Sequence, residues 1–509
     1  MPGLRAPLRE FHPRAKHDSR RSPGVFLNTG ILASHAQDLG AMVALQDGIL
    51  QDFIAAGFDP TACAAVLRQA IARHPFIAEL FDPESVAAGG CIASDALLYQ
   101  LHRQRDRWRF EITPPRGEPI VLQTSADRLP ALGNALRDAL QRQHWEPLAA
   151  LFDEPRLLAS HAPAAAAPPL AWPGFHGPGI QRLEHASLLI ASETTRLLTD
   201  PISLAVGGNV GLPDLERAPS NLAGSIDGML VTHGHLDHWH LPTLLRHGGD
   251  GSVPVIVPDI PVPSLLSQDD MRRSLQELGQ NAIAPKWGDT VQIGDIEIDI
   301  LPFYGEQPTI GAATPPEHVR NWGNCYRVTT PQFSVILLVD SGEDAMGSVM
   351  QVIESSVARR GPPDLILSCC REMRKAPFWQ GLFTFWMVLP MHELKRLTRA
   401  EQAGEGPSIT LGPERLAEAC VRAGVDAFAP YANGFGGIGE PIRDIGWIND
   451  EPSEADMLER IEARLATLDG TTRVIRWLPG DVLRPGRCAA LAMPADAGHA
   501  THAVPENAS

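Results

Sequence analysis

Six consecutive residues, His233-Gly234-His235-Leu236-Asp237-His238, gather three imidazoles and a carboxylate on one short stretch. They follow an apolar run, Met229-Leu-Val-Thr232, that reads as a strand. In an extended loop, residues two apart point the same way, so His233 and His235 can clamp one ion. Asp237 and His238, adjacent in sequence, are then offered to a second ion close by. Asp340, at the end of the apolar strand Ser334-Val-Ile-Leu-Leu-Val339, can bridge both and act in the chemistry. A lone histidine is usually a satisfied surface or core residue, but three with an aspartate in six positions predict a dinuclear metal site. His240 is placed outside the ligand set.

The surrounding elements have the texture needed to hold such a site. Short apolar strands end in polar residues: Ser187 to Ser192, Arg196 to Asp200, Ile296 to Pro302 leading into Glu306, and Asp364 to Ser368. A helix, Pro413 to Gly424, leads into Asp426-Ala-Phe-Ala-Pro430. Strands ending in ligand-type residues predict a site along one edge of stacked sheets. Asp200 is expected to orient the histidine loop by hydrogen bonding, because metal-binding imidazoles need an anchor on the far nitrogen.

Upstream, helical spacing at Leu67 to Arg73 and Leu129 to Leu151 alternates with strands at Trp108 to Thr113 and Ile120 to Gln123. Pro114 to Gly117 reads as the turn between those strands. No catalytic motif stands out there. A Pro/Ala-rich stretch from Ser160 to Pro173 has the composition of a linker. The expected organisation is a mixed α+β N-terminal domain over 1–159, a linker over 160–174, a catalytic α/β domain over 175–492 and a disordered tail over 493–509.

Composition excludes several classes. A net charge of −17 opposes nucleic-acid binding, which needs a cationic surface. No apolar run reaches the roughly 20 residues that span a bilayer. The basic, Pro-rich first 24 residues lack an apolar core and cleavage site, so no secretory signal is expected. Seven cysteines without a C-x-x-C pair suggest neither a thiolate zinc site nor a disulfide framework, and point to a reducing cytoplasm. The cluster Arg103, Arg105, Arg107 and Arg109 is a solvated face or a docking patch for an acidic protein.

Thr232-His-Gly-His-Leu-Asp-His238 resembles the signature of the metallo-β-lactamase superfamily. Leu183-Glu-His185-Ala-Ser and Leu198-Thr-Asp200-Pro resemble the two strands that open its catalytic domain. The resemblance covers roughly residues 175 to 490 and implies an αββα sandwich, with His185 beside the ligands rather than among them. Two departures from the hydrolase pattern carry information. Glu306, in Leu301-Pro-Phe-Tyr-Gly-Glu306, stands where a third histidine would follow the signature. Ala432, in Ala429-Pro-Tyr-Ala432-Asn-Gly434, stands where the last histidine would sit. The exchange makes the ligand set harder and richer in oxygen, which suits non-haem iron more than zinc.

That exchange, with a long N-terminal domain, resembles the CmlA-type di-iron β-hydroxylase family of chloramphenicol biosynthesis. The resemblance implies His233, His235 and Glu306 on one iron, Asp237 and His238 on the other, and Asp340 bridging. It also implies a later histidine on the second iron, for which His392 in Leu389-Pro-Met-His392 is the candidate and His318 the fallback. The function so implied is O₂-dependent hydroxylation of the β-carbon of an aminoacyl thioester on a carrier domain of a nonribosomal peptide synthetase. An external electron donor and a homodimer formed through the N-terminal domain go with it. The alternative is a dinuclear metal hydrolase cutting a thioester, lactone or phosphodiester. Tyr304, Trp322, Phe378, Trp379, Phe383, Phe385 and Trp386 are expected to wall a pocket or to be plain core.

Overall fold

The computed structural model describes residues 24–28, 39–75, 78, 80–94, 107–113, 120–142, 144–160, 172, 174–202, 222, 224–235, 237–260, 270–305, 323–344, 346–373, 385–405, 408–434, 439, 442 and 453–486. A small antiparallel sheet comes first, with β1 (Gly24–Asn28), β2 (Arg107–Thr113) and β3 (Ile120–Ser125). Two seven-stranded mixed sheets follow.

The first large sheet contains β4 (Gly179–Arg182), β5 (Leu188–Ala191), β6 (Arg196–Thr199), β7 (Gly228–Leu230), β8 (Val255–Ile256) and β9 (Ala282–Ile283). The second contains β10 (Thr290–Ile293), β11 (Ile296–Pro302), β12 (Asn324–Thr329), β13 (Ser334–Val339), β16 (Leu365–Ser368), β17 (Ala427–Pro430) and β18 (Arg473–Val474). The two-residue strands β14 (Glu343–Asp344) and β15 (Gly347–Ser348) form a hairpin after β13. β19 (Val482–Leu483) returns to pair with β4 at the edge of the first sheet.

Alternation along the strands decides which layer meets which. Leu188 and Ile190 of β5 face the core between the sheets, with Leu197, Leu230, Ile256, Ile298 and Ile300. Their neighbours Leu189 and Ala191 face the opposite way, joining Leu198, Met229 and Val255 under an outer helical layer. β13 is buried along its whole length and lies between antiparallel β12 and parallel β16. That accounts for its unbroken apolar sequence, since a strand covered on both faces has no polar side. The helices Val349–Arg360, Gly412–Ala423 and Glu454–Thr467 contribute buried side chains to the core between and behind the sheets. The result is an αββα sandwich, as the family resemblance implies.

The N-terminal elements are not sealed off from the sandwich. The helix Leu129–Arg142 lays Leu132, Leu136 and Leu140 into the same cluster as Leu244, Leu245, Leu275 and Leu278. Gly133 permits the contact, because a Cβ there would lie 1.9 Å from the carbonyl oxygen of Leu278. Arg137 donates to that same oxygen at 2.9 Å. The helices Leu39–Ala55 and Pro60–Arg73 belong to a separate cluster that is completed from far along the chain by Trp386, Met387, Leu389, Met391, Leu394 and Leu397. The amides of Ile92 and Ala93 donate to the carbonyl of Met387. The core therefore runs across residue 160 in both directions. Among the described residues no helix is long and apolar enough to cross a membrane.

Candidate metal centre

Four loops at one edge of the sandwich converge on the histidine signature. The turn between β4 and β5 carries His185, the end of β6 carries Asp200, the segment after β7 carries His233 to His238, and the end of β13 carries Asp340. His185, Asp200, Val339 and Ala432 are four of the seven non-glycine residues with positive φ among those described. For a β-branched residue such as Val339 (φ 49°) this is a disfavoured conformation. It is tolerated because the surrounding bonds fix it: Cys369 N–H donates to Val339 O at 3.0 Å. The bend turns the Asp340 side chain off the strand and into the cluster.

The donors fall into two groups, each with its ligand-type atoms within 4.8 Å of one another: His233, His235 and Asp340, then His185, Asp237 and His238. His233 Nε2 lies 3.0 Å from His235 Nδ1 and 3.7 Å from Asp340 Oδ2. His238 Nε2 lies 3.1 Å from the same Asp340 oxygen, which joins the groups. His185 Nε2 is 3.0 Å from Asp237 Oδ2, and His238 Nε2 is 3.8 Å from it. The imidazoles of His233 and His238 have centroids 4.1 Å apart, and Phe303 stacks on His233 at 5.1 Å.

Hydrogen bonds fix the tautomers. Asp200, fully buried, accepts from Thr232 N at 2.7 Å, from Thr232 Oγ1 at 2.6 Å and from His238 Nδ1 at 2.9 Å. Because the Thr232 hydroxyl gives its proton to Asp200, it accepts from His233 Nδ1 at 3.0 Å. The Gly434 carbonyl accepts from His185 Nδ1 at 3.3 Å. All three rings thus donate from Nδ1 and turn Nε2 toward the carboxylates, where a bound ion would take the place of the Nε2 proton.

Charge is concentrated here. Burial would raise the Asp237 carboxyl, but His238 and the hydrogen bond from His185 hold it well below the usual range. Burial opposes a charge on His238, yet Asp237 first, then the bonds to Asp200 and Asp340, raise it well above an ordinary imidazole. His233, buried and flanked by His238 and His235, is pushed well down. Asp340 Oδ1 is buried with no hydrogen-bond partner among the described residues. A buried carboxylate oxygen left so is costly, and a cation answers the need. Four imidazoles and two carboxylates in two adjoining triads fit a pair of first-row divalent ions.

Five of the sequence-derived ligands, His233, His235, Asp237, His238 and Asp340, are brought together. Glu306 and His318 lie outside the described residues. The chain leading to Glu306 is anchored beside Asp340, since Gly342 N donates to Tyr304 O and Gly305 N donates to Asp344 at 2.9 Å.

His392 requires correction. It sits in the helix Met391–Gln402 with its side chain 73% exposed and 3.7 Å from Glu393, whereas the cluster is buried. The flanking Met391 and Leu394 anchor that helix in the N-terminal cluster and leave His392 facing outward. His185 takes part instead. It was expected beside the ligands, and it lies about 50 residues before the signature without forming a spacing motif with it. The available signal was a histidine between two apolar strands, in a turn that needs positive φ.

Of the aromatic residues considered as pocket walls, Tyr304 is half-buried against Gly347 and Trp287. Trp386 is buried in the N-terminal cluster. Trp322, Phe378, Trp379, Phe383 and the Phe385 side chain lie outside the described residues, as do Arg103, Arg105 and the side chains of Arg107 and Arg109.

Comparison with known proteins agrees with this fold. The family described as the Beta-lactamase superfamily domain matches residues 195–375, which include the signature and Asp340. A search of curated proteins gives no match. Among solved structures, CmlA, a diiron beta-hydroxylase from Streptomyces venezuelae, is 16% identical with a TM-score of 0.55, over 92% of this chain and 98% of that one. A point mutant of the CmlA beta-hydroxylase gives a TM-score of 0.53 at 16% identity, over 92% of this chain and 99% of that one. A looser likeness, 12% identical with a TM-score of 0.39 over 60% of this chain and 98% of the other, is to an isothiocyanate hydrolase from Delia radicum gut bacteria. The sandwich that carries the two candidate metal triads has the metallo-β-lactamase fold.

Proposed function

We propose that this chain is an O₂-dependent di-iron monooxygenase that hydroxylates the β-carbon of an amino acid held as a thioester on a carrier domain of a nonribosomal peptide synthetase. The observation that carries the reading is the extent of the fold likeness to a diiron beta-hydroxylase. It spans 92% of this chain, so it takes in the N-terminal elements as well as the sandwich. Glu306 in place of a histidine supports iron on chemical grounds, because carboxylate hardens the ligand set.

In this reading His233, His235, Glu306 and Asp340 hold one ion, and His185, Asp237, His238 and Asp340 the other. Bound iron supplies O₂ activation, using electrons from an external donor. Overall, a C–H bond becomes C–OH, one oxygen atom enters the product and the other leaves as water, with two electrons and two protons consumed. Asp200 and Thr232 keep the Nε2 lone pairs of His238 and His233 on the metal side. Burial of the cluster excludes bulk water, and tethering delivers a single side chain to the centre without the entropy cost of a free zwitterion. The N-terminal elements serve carrier docking and dimerisation, with the cytoplasm as the site of action.

The described donors alone, four imidazoles and two aspartates, also suit a dizinc hydrolase with hydroxide as nucleophile. Metal analysis separates the readings. Protein made in iron-replete medium should hold close to two irons per chain, and Glu306→Ala should lose iron and hydroxylation while keeping its fold. Zinc without iron, together with thioester cleavage, would replace this reading by the hydrolase.

A further inference from the structure

A hydrogen-bonded circuit behind the cluster joins residues more than 250 positions apart and ends on His185. Arg182, on β4 and fully buried, places both guanidinium nitrogens on Glu454, at 2.9 Å and 2.7 Å, and donates to the Trp477 carbonyl at 2.8 Å. Glu454 opens the helix Glu454–Thr467. Its second oxygen accepts from Asn433 Nδ2 at 2.7 Å. Asn433 is fully buried, and its amide oxygen accepts from Cys370 N at 2.8 Å. Its own carbonyl accepts from Arg371 Nε at 2.7 Å. Every polar atom of the Asn433 side chain is thus committed to a different element.

The residues on either side of Asn433 touch His185. Ala432 N–H donates to the His185 carbonyl at 3.1 Å, and the Gly434 carbonyl accepts from His185 Nδ1 at 3.3 Å. Both flanking residues have positive φ, 59° at Ala432 and 143° at Gly434. Glycine takes such a φ freely, but Ala432 holds it only where its surroundings over-determine it. The bonds to Glu454, Cys370 and Arg371 supply that constraint. Without them the Gly434 carbonyl loses a constraint that keeps it on Nδ1, and the His185 ring loses an anchor that aims its Nε2 at Asp237.

We infer that Asn433 and Glu454 are positioning residues that set the orientation of the His185 imidazole, and so the affinity of the metal position shared by His185, Asp237 and His238. The His233 ring draws its orientation from Thr232 and Asp200, neither of which is bonded to Asn433 or Glu454. The inference rests on the cluster being a metal centre and holds whether that centre hydroxylates or hydrolyses.

Cobalt(II) titration of the metal-stripped full-length protein, followed by visible absorption and by metal counting after gel filtration, tests this. The parent should take up two equivalents. Asn433→Ala and the near-isosteric Glu454→Gln should both retain one equivalent with unchanged affinity. The other should weaken about 10–100-fold, the usual effect of losing an outer anchor on a ligating histidine. Its absorption band should change in intensity as the geometry relaxes. Asn433→Gln, which keeps the amide but misplaces it, should resemble the alanine variant. Two equivalents bound as in the parent by a folded Glu454→Gln protein would overturn the inference. Equal weakening of both equivalents in that variant would also overturn it, since the circuit would then act as general scaffolding.

Discussion

Replacing Asp200 tests the tautomer argument and separates stability from metal binding. Asp200 is fully buried and accepts from Thr232 N, Thr232 Oγ1 and His238 Nδ1. In Asp200→Ala the Thr232 amide and the His238 N–H lose their acceptor, and the hydroxyl can rotate elsewhere. At about 1–3 kcal/mol for each buried donor left unpaired, the loss is roughly 2–6 kcal/mol. Against a typical folding free energy of about 5–15 kcal/mol, that is a severe change. Asp200→Asn behaves differently. Its amide oxygen can still accept from Thr232 N, but its NH₂ then faces His238 Nδ1, which must become an acceptor. The His238 proton moves to Nε2, the atom facing Asp340 at 3.1 Å. The Asn variant should therefore stay folded and lose metal affinity by about 10–100-fold, while the Ala variant loses both. Thermal melting and cobalt(II) titration of the two side by side provide the assay. An Asn variant that binds metal like the parent, or an Ala variant that melts like it, would refute the reasoning.

Further outcomes follow from individual contacts. Gly133→Ala puts a Cβ onto the Leu278 carbonyl, so it should destabilise the protein by about 3 kcal/mol or more, as backbone clashes do; a melting temperature equal to the parent's would show that this helix is not seated as described. Burial pushes the Asp299 carboxyl up, but Arg360 and Thr290 outweigh it and hold it below its usual value. The stabilisation is thus fully present above the unfolded value of about 3.9 and fades as pH falls through the folded one. The stability gap between the parent and Asp299→Asn, measured by urea unfolding, should be constant near neutrality and close in acid; a gap that widens in acid would contradict the assignment. Metal stripping should lower the melting temperature, because an ion at 100 times its dissociation constant contributes about 2.7 kcal/mol. Stripped protein that melts no earlier would count against a bound ion between Asp340 and Asp237.

Many individual strands were legible because they are short, apolar and end in polar residues, as β6 does at Asp200 and β13 at Asp340, while their arrangement as a sandwich came from the family resemblance. The histidine signature was legible because its four donors lie within six residues. His185 was not, since its partnership with Asp237 exists only once β4 and β5 pair and Ala432 and Gly434 close over the turn. His392 misled for the converse reason. Its local sequence offers a histidine at a helix start, but Met391 and Leu394 commit that helix to a core built with Phe53 and Leu67. The Pro/Ala-rich stretch after Ser160 reads as a divider. Yet Leu132 and Leu136 before it pack with Leu244 and Leu275 after it, a pairing that composition does not encode.

The central claim is that the centre transfers an oxygen atom from O₂ to a tethered amino acid. It is tested most directly by supplying reduced protein with isotopically heavy O₂ and a carrier domain loaded with candidate amino acids, with the free amino acids in parallel. The account predicts a product still bound as thioester that carries one heavy oxygen, formed on the loaded carrier and not on the free amino acid. Release of the amino acid from the carrier without gain of heavy oxygen, or label arriving from water instead of O₂, would contradict it.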